Sequence, residues 1–309
     1  MRSLVQELGY DASANFVEAG DISAYGAQPF SHLCRKLGER LQGVYLIGGD
    51  KTQSAVPVVA VCRAADEAEA REIHALIWNQ DFVPFVLVES AASVRLYSGF
   101  QYQSGAEEVP GSGFIEALTD FNKIGEILDG FQSEKIDNGE LWQKWGSYVD
   151  PDRRVDWHLL HNLELLGQKL RDQGLDKTLA HALIGRFVYL RYLLDRGFLS
   201  PRKLTKWELT SDQVFSHRAT LTAFRSLNEH LDDETDGLNG AIFPFNHSHI
   251  KQQHLRTVAA AFKGDDVQSG QAVFDFEAYN FSYIPIETLS VVYEQFLHAP
   301  TDGKRISEG

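Results

Sequence analysis

Cysteine is scarce in this sequence. Cys34 and Cys62 are its only two, and they lie far apart. That excludes a disulfide framework and a Cys-rich metal site. Long apolar runs are missing as well, and none approaches the ~18–20 residues that a membrane span needs. The opening stretch MRSLVQELGYDASANF lacks the apolar centre of a signal peptide. These absences lead to the expectation of a cytoplasmic protein without a membrane partner. Positive charge is in short supply: 29 Lys and Arg stand against 43 Asp and Glu, a formal net charge of -14. A protein that coats nucleic acid needs clustered cations, so that class is excluded. A local basic face is not. There is no phosphate-binding Gly-rich loop with Lys, no nucleophile elbow, no internal repeat and no coiled-coil heptad run. What is present suffices for folding. The chain has 309 residues, 43% of them hydrophobic and 11% aromatic, which fits about two domains with real cores.

The period of the apolar residues changes along the chain. Phe30, Leu33, Leu37 and Leu41 predict a helix over residues 29–41. Val44–Ile47 and Val56–Cys62 are short apolar runs bounded by polar residues and predict two strands. Residues 66–78 read as a helix with Ile73, Leu76 and Ile77 inward. Phe85–Val88 and Val94–Tyr97 predict two more strands around a Ser-Ala-Ala-Ser turn. This is an α/β domain over residues 1–105. From Gly99 to Gly113 the composition shifts to Gln, Ser, Gly, Glu and Pro, which predicts a linker. A helical domain is expected over 106–273, with helices at 114–131, 155–173, 177–196, 209–231 and 249–262. Gly174 and Gly197 supply stop signals and Asp176 an N-cap. A last segment, 274–309, runs from Phe274, Phe276, Tyr279 and Phe281 into a helix over 286–297. Leu289, Val292, Tyr293 and Phe296 form its stripe, and Pro285 sits in its first turn. The fold class expected is α/β plus all-α.

The densest basic signal is Arg186, Arg191 and Arg196, continuing to Arg202, Lys203 and Lys206. Arg186, Arg191, Arg202, Lys203 and Lys206 are the candidate DNA contacts, because guanidinium and ammonium groups bind phosphate. Arg186 and Arg191 sit in a heavily apolar helix, and such a setting also suits buried pairs with carboxylates such as Asp195. His247, His249 and His254 share a His-x-His-x4-His spacing, but no Cys lies near and the two closest flank the N-cap candidate Ser248, so they need not converge and no metal is expected. Tyr279, Phe281 and Tyr283 suit stacking on a base, or sealing one domain against another. Asp275, Glu277 and Glu287 read as packing and capping groups.

Four stretches resemble the adenine-N6 DNA methylases of restriction–modification and phage-defence systems, in their large multidomain type II forms. Tyr283-Ile284-Pro285-Ile286-Glu287-Thr288-Leu289-Ser290, with Val292-Tyr293-Glu294-Gln295-Phe296-Leu297, is similar to the family's Ile-Pro-x-Glu-x-Leu-Ser-x-Ile-Tyr-Glu-x-Phe-Leu helix. In the family that helix leads to Arg-x-x-Gly and a Tyr-Tyr-Thr-Pro motif. Ile184–Leu199 resembles the family's Gly-Arg-Phe helical motif. Ile136–Trp142 resembles its Ile-Asp-Ser-Gly-x-Phe-Trp junction, and residues 72–98 resemble its N-terminal block. The resemblance implies that the chain stops at the threshold of a catalytic domain, because Gly309 stands where Tyr-Tyr-Thr-Pro would begin. It implies no catalytic residue within the chain, since the family's Asn-Pro-Pro-Tyr is missing. Tyr283, Pro285, Leu289, Tyr293 and Phe296 would then lie at the interface with the methyltransferase domain. S-adenosylmethionine would belong to the full-length enzyme, with no cofactor in this part, and double-stranded DNA would be its substrate. The family's N-terminal domain often has a PD-(D/E)xK nuclease layout. Here Val61-Cys62-Arg63 replaces the metal-binding Glu-x-Lys, so a degenerate centre is expected, with Asp50 and Arg63 as its remnants. Two other readings stay open: a free-standing interaction or specificity subunit that docks a separate methylase, and a Mg-dependent nuclease.

Overall fold

The computed structural model describes residues 3–22, 35–48, 55–104, 109, 111–150, 153–232, 249–263 and 276–298. The chain divides into two compact units, Met1–Val155 and Asp156–Gly309. Among the described residues no helix is long and apolar enough to cross a membrane.

The first unit is built on a mixed sheet in the order β1 to β6: Phe16–Glu18, Leu41–Ile47, Val56–Arg63, Phe85–Glu89, Val94–Ser98 and Phe114–Leu118. Neighbours run antiparallel except β3 and β4, which pair in parallel with Val59 opposite Phe85 and Val61 opposite Leu87. A parallel pair needs a crossover, and helix α2 (Glu67–Gln80) supplies it. Its N-cap is Asp66, whose carboxylate accepts the Glu69 N–H at 2.9 Å. β3 reads Val-Pro-Val-Val-Ala-Val-Cys-Arg, and every residue from Pro57 to Cys62 is buried. A strand covered on both faces is apolar throughout rather than alternating. Helix α2 covers one face, where His74 stacks on Tyr97 with ring centroids 4.4 Å apart. The other face is covered by α1 (Leu4–Glu7), α3 (Ile124–Ile127), α4 (Ser133–Asp137) and α5 (Glu140–Trp145). Their Leu4, Ile124, Ile136 and Leu141, with Phe131 from a connecting loop, join Val59, Phe85 and Leu96 in one core.

Three expectations change here. The helix expected over 114–131 is strand β6 followed by short turns, because Phe114–Leu118 pairs with the open edge of β5. The described residues of the Gly-rich run 99–113 lie inside the first unit, after β5 and before β6, and not at its boundary. A Cβ on Gly99 would overlap the Val83 carbonyl, and one on Gly113 would overlap that of Gln101. The first unit therefore extends past residue 105 to Val155. Without residues 120–145 one face of its sheet would stay bare. The short strand β1 was not expected. It pairs with β2, and a Cβ on Gly43 would come within 2.6 Å of the Val17 carbonyl oxygen.

The second unit is helical among its described residues: α6 (Val155–Asp172), α7 (Lys177–Asp195), α8 (Pro201–Lys206), α9 (Ser211–Phe215), α10 (Leu221–Asp232), α11 (Gln252–Lys263) and α12 (Ile286–His298). Asp176 caps α7 through the Thr178 and Leu179 N–H groups, and Gly174 and Gly197 follow α6 and α7 at positive φ. The single helix expected over 209–231 is two. Thr210 opens α9 with a capping box to Gln213, and the turn 216–220 separates it from α10. Helix α8 was not among the expected helices. Ser200 caps it and Pro201 takes its first position. Phe187, Phe224 and Phe262 form the aromatic centre, with Phe187 and Phe224 stacked at 5.4 Å.

Candidate functional site

The polar junction between α7 and the segment 276–298 gathers most of the residues that the sequence singles out. Arg186 is 1% exposed. Its Nη1 lies 3.9 Å from the Asp232 carboxylate. Burial pulls the Arg186 pKa below the ordinary guanidinium value, and Asp232 opposes that pull. Arg191 donates from Nε to Asp195 at 3.0 Å and from Nη1 to the Phe262 carbonyl at 3.2 Å. Asp195 also accepts the Phe281 N–H at 2.9 Å. Arg196 donates to the Ile284 carbonyl at 3.4 Å and covers the Tyr192 ring at 4.8 Å. One carboxylate and two guanidiniums thus hold α11 and the lead-in to α12 against α7. Arg186 and Arg191 work as internal ties in this fold. Burial closes Arg186 to a phosphate, whereas Arg191 keeps 28% of its side chain exposed.

Helix α12 lies on α7 and α6 through its apolar stripe. Leu289, Val292 and Phe296 are buried. Phe296 meets the His181 ring at 4.3 Å. The approach is close at Gly185, where a Cβ would lie 2.7 Å from the Tyr293 ring. Leu289 and Phe296, expected at an interface with another domain, therefore pack inside their own unit. Tyr283, Pro285 and Tyr293 are half-buried. Tyr279 and Phe281 are 1% and 0% exposed, and Asn162 donates to the Tyr279 hydroxyl at 3.0 Å. They seal the helical core and offer no face to a base. The outer side of α12 keeps Ile286, Val291 and Leu297 exposed.

Helix α8 carries the other expected contacts. Arg202 and Lys206 are exposed, and Lys203 is half-buried with its ammonium 5.1 Å over the Trp207 ring. Trp207 stacks in turn on His230 at 5.0 Å and 2°. His254 is buried and accepts the Lys251 N–H on Nδ1 at 3.2 Å, which makes it part of a helix start.

In the first unit Val61 and Cys62 are buried within β3, and burial pushes the Cys62 thiol up to about 12. Arg63 at the strand end faces Glu89 at 3.8 Å. Asp50, His247 and Asp275 lie outside the described residues. The sequence reading named Asp195 as a carboxylate partner for these arginines but not the Phe281 N–H that it also accepts. The i,i+4 spacing of Arg191 and Asp195 is the signal for that pairing. Comparison with protein-family models, with curated proteins and with solved structures found no match to this chain.

Proposed function

We propose that this chain is the N-terminal, DNA-positioning scaffold of an S-adenosylmethionine-dependent adenine-N6 DNA methyltransferase of a restriction–modification or phage-defence system. One observation carries the reading. The segment whose sequence resembles the family, 276–298, is anchored to α7 by Asp195, Arg196 and Gly185, while Ile286, Val291 and Leu297 face outward. A helix fixed on one side, with Ile286, Val291 and Leu297 exposed among Glu287, Ser290 and Glu294 on the other, suits the docking of a catalytic domain. The chain's part is to bind and orient. The methyl donor belongs to the docked domain, because the aromatic residues that could have met its adenine, Tyr279 and Phe281, are spent in the core. Arg202, Lys203 and Lys206 on α8 are the phosphate contacts in this reading. The first unit is read as a PD-(D/E)xK-like layout whose metal centre is lost, in keeping with the order β1-β2-β3-α2-β4 and with Val61 in place of a carboxylate.

The test is the reading frame beyond codon 309, together with methyl transfer by the purified chain. A continuation into Tyr-Tyr-Thr-Pro and Asn-Pro-Pro-Tyr supports the scaffold. Tritium transfer from labelled S-adenosylmethionine to DNA by the chain alone overturns it.

A further inference from the structure

A cavity of about 330 Å³ opens in the second unit between α7, α9 and α11. Its size is that of small-ligand sites. Phe187, Phe215 and Phe262 line it, with the Phe215 ring edge-on to Phe187 at 6.3 Å. Arg191, Asp212 and Lys263 complete the lining. The charges at this site are held in place by one another. Asp212 lies 3.2 Å from Arg218 and 3.7 Å from Lys263, and Arg191 is tied to Asp195 at 3.0 Å. The lining itself carries two cations, Arg191 and Lys263, and one carboxylate, Asp212. Aromatic side chains accept a planar ring, and a guanidinium beside an ammonium matches a phosphate.

We propose that this cavity is a mononucleotide site, with the base against the phenylalanine rings and the phosphate at Arg191 and Lys263. An aromatic lining without cations would suit a neutral ring, and cations without rings would suit inorganic phosphate. Only the two together select a nucleotide, whether free or as one unit of a DNA strand. The inference rests on the cavity and not on the methyltransferase reading, so either stands if the other falls.

The experiment is calorimetric titration of the full chain with AMP, adenosine, inorganic phosphate and a short single-stranded oligonucleotide. AMP is expected to bind with a Kd of about 10–1000 µM. Adenosine and phosphate should each bind at least ~10-fold more weakly. Lys263→Ala and, separately, Phe215→Leu should each weaken AMP about 10-fold while leaving the circular dichroism spectrum of the chain unchanged. Tighter binding of the oligonucleotide than of AMP assigns the site to a strand, and the reverse assigns it to free nucleotide; both support it. No binding of either up to several millimolar overturns the proposal. So does binding that neither variant changes, or phosphate binding as tight as that of AMP.

Discussion

The two units are held together by different means. In the first, strand register does most of the specifying. β3, β4 and β5 are buried, and a slip by one residue would turn each side chain to the opposite face. In the second, helices of similar apolar character could slide past one another, and charged groups fix their positions. Arg186 with Asp232, and Arg191 and the Phe281 N–H with Asp195, set where α7, α10, α11 and the lead-in to α12 meet. A sheet carries its own ladder of hydrogen bonds as an address. A helix spends its backbone bonds internally, so side chains must supply the address between helices.

The contrast can be broken at four points. The largest effect should come from Phe131→Ala in the first unit. Phe131 is 0% exposed and packs edge-on to Phe85 at 5.3 Å. We expect a loss of about 3–5 kcal/mol in urea unfolding and faster amide exchange in β3 to β5. Unchanged exchange in those strands would separate residues 120–145 from the sheet.

Mild acid should come next. His74 is buried, and its Nε2 lies 2.8 Å from the Ser98 carbonyl and 2.9 Å from that of Gln101. Carbonyls only accept, so Nε2 carries a proton. Burial lowers the His74 pKa to about 4, against the pull of those two bonds. The unfolded ring takes its second proton at about 6.5. Between these values the unfolded chain binds the extra proton and the folded chain does not. The His74 contribution to stability is therefore complete above pH 6.5 and falls toward pH 4, by about 3 kcal/mol. His74→Gln should flatten that slope in probes of the first unit; a slope of equal steepness in the variant would sink the assignment.

Asp195→Ala tests the second unit. It leaves Arg191 and the Phe281 N–H without their shared acceptor, and a loss of about 1.5–3 kcal/mol is expected. Exchange of the Phe281 amide should rise before that of the α7 centre. If it does not, the junction is not the anchor of the lead-in segment. The smallest stability effect belongs to Arg202→Ala combined with Lys203→Ala, at about 1 kcal/mol or less, chiefly from the lost contact with Trp207. Duplex affinity should fall, and the slope of log K against log salt should shrink by about 1–2. An unaltered slope would remove α8 from the DNA contacts.

Elements that speak through local chemistry were legible. The apolar run Val56–Cys62, the Asp176 cap, and the Gly174 and Gly197 stops all lie where the sequence pattern puts them. Ser200-Pro201 carries a cap signature of the same kind, and the short helix it opens was not among those expected. Of the candidate site, the pairing of Arg191 with Asp195 was legible, being i,i+4. The Arg186–Asp232 pair was not, since it joins two helices.

By itself the sequence determined which short segments become strand or helix wherever burial period and caps agree, because those signals act between neighbours along the chain. Tertiary structure decided the rest. Phe114–Leu118 fits a helix by spacing and is a strand because β5 offers it an edge. The glycines of 99–113 are flexible by nature, yet Gly99 and Gly113 serve close backbone approach. Arg186 suits phosphate by its chemistry and is a core residue because α10 brings Asp232 to it. In each case the partner lies on another element, and only folding brings it near enough to choose between two outcomes that local energies leave nearly equal.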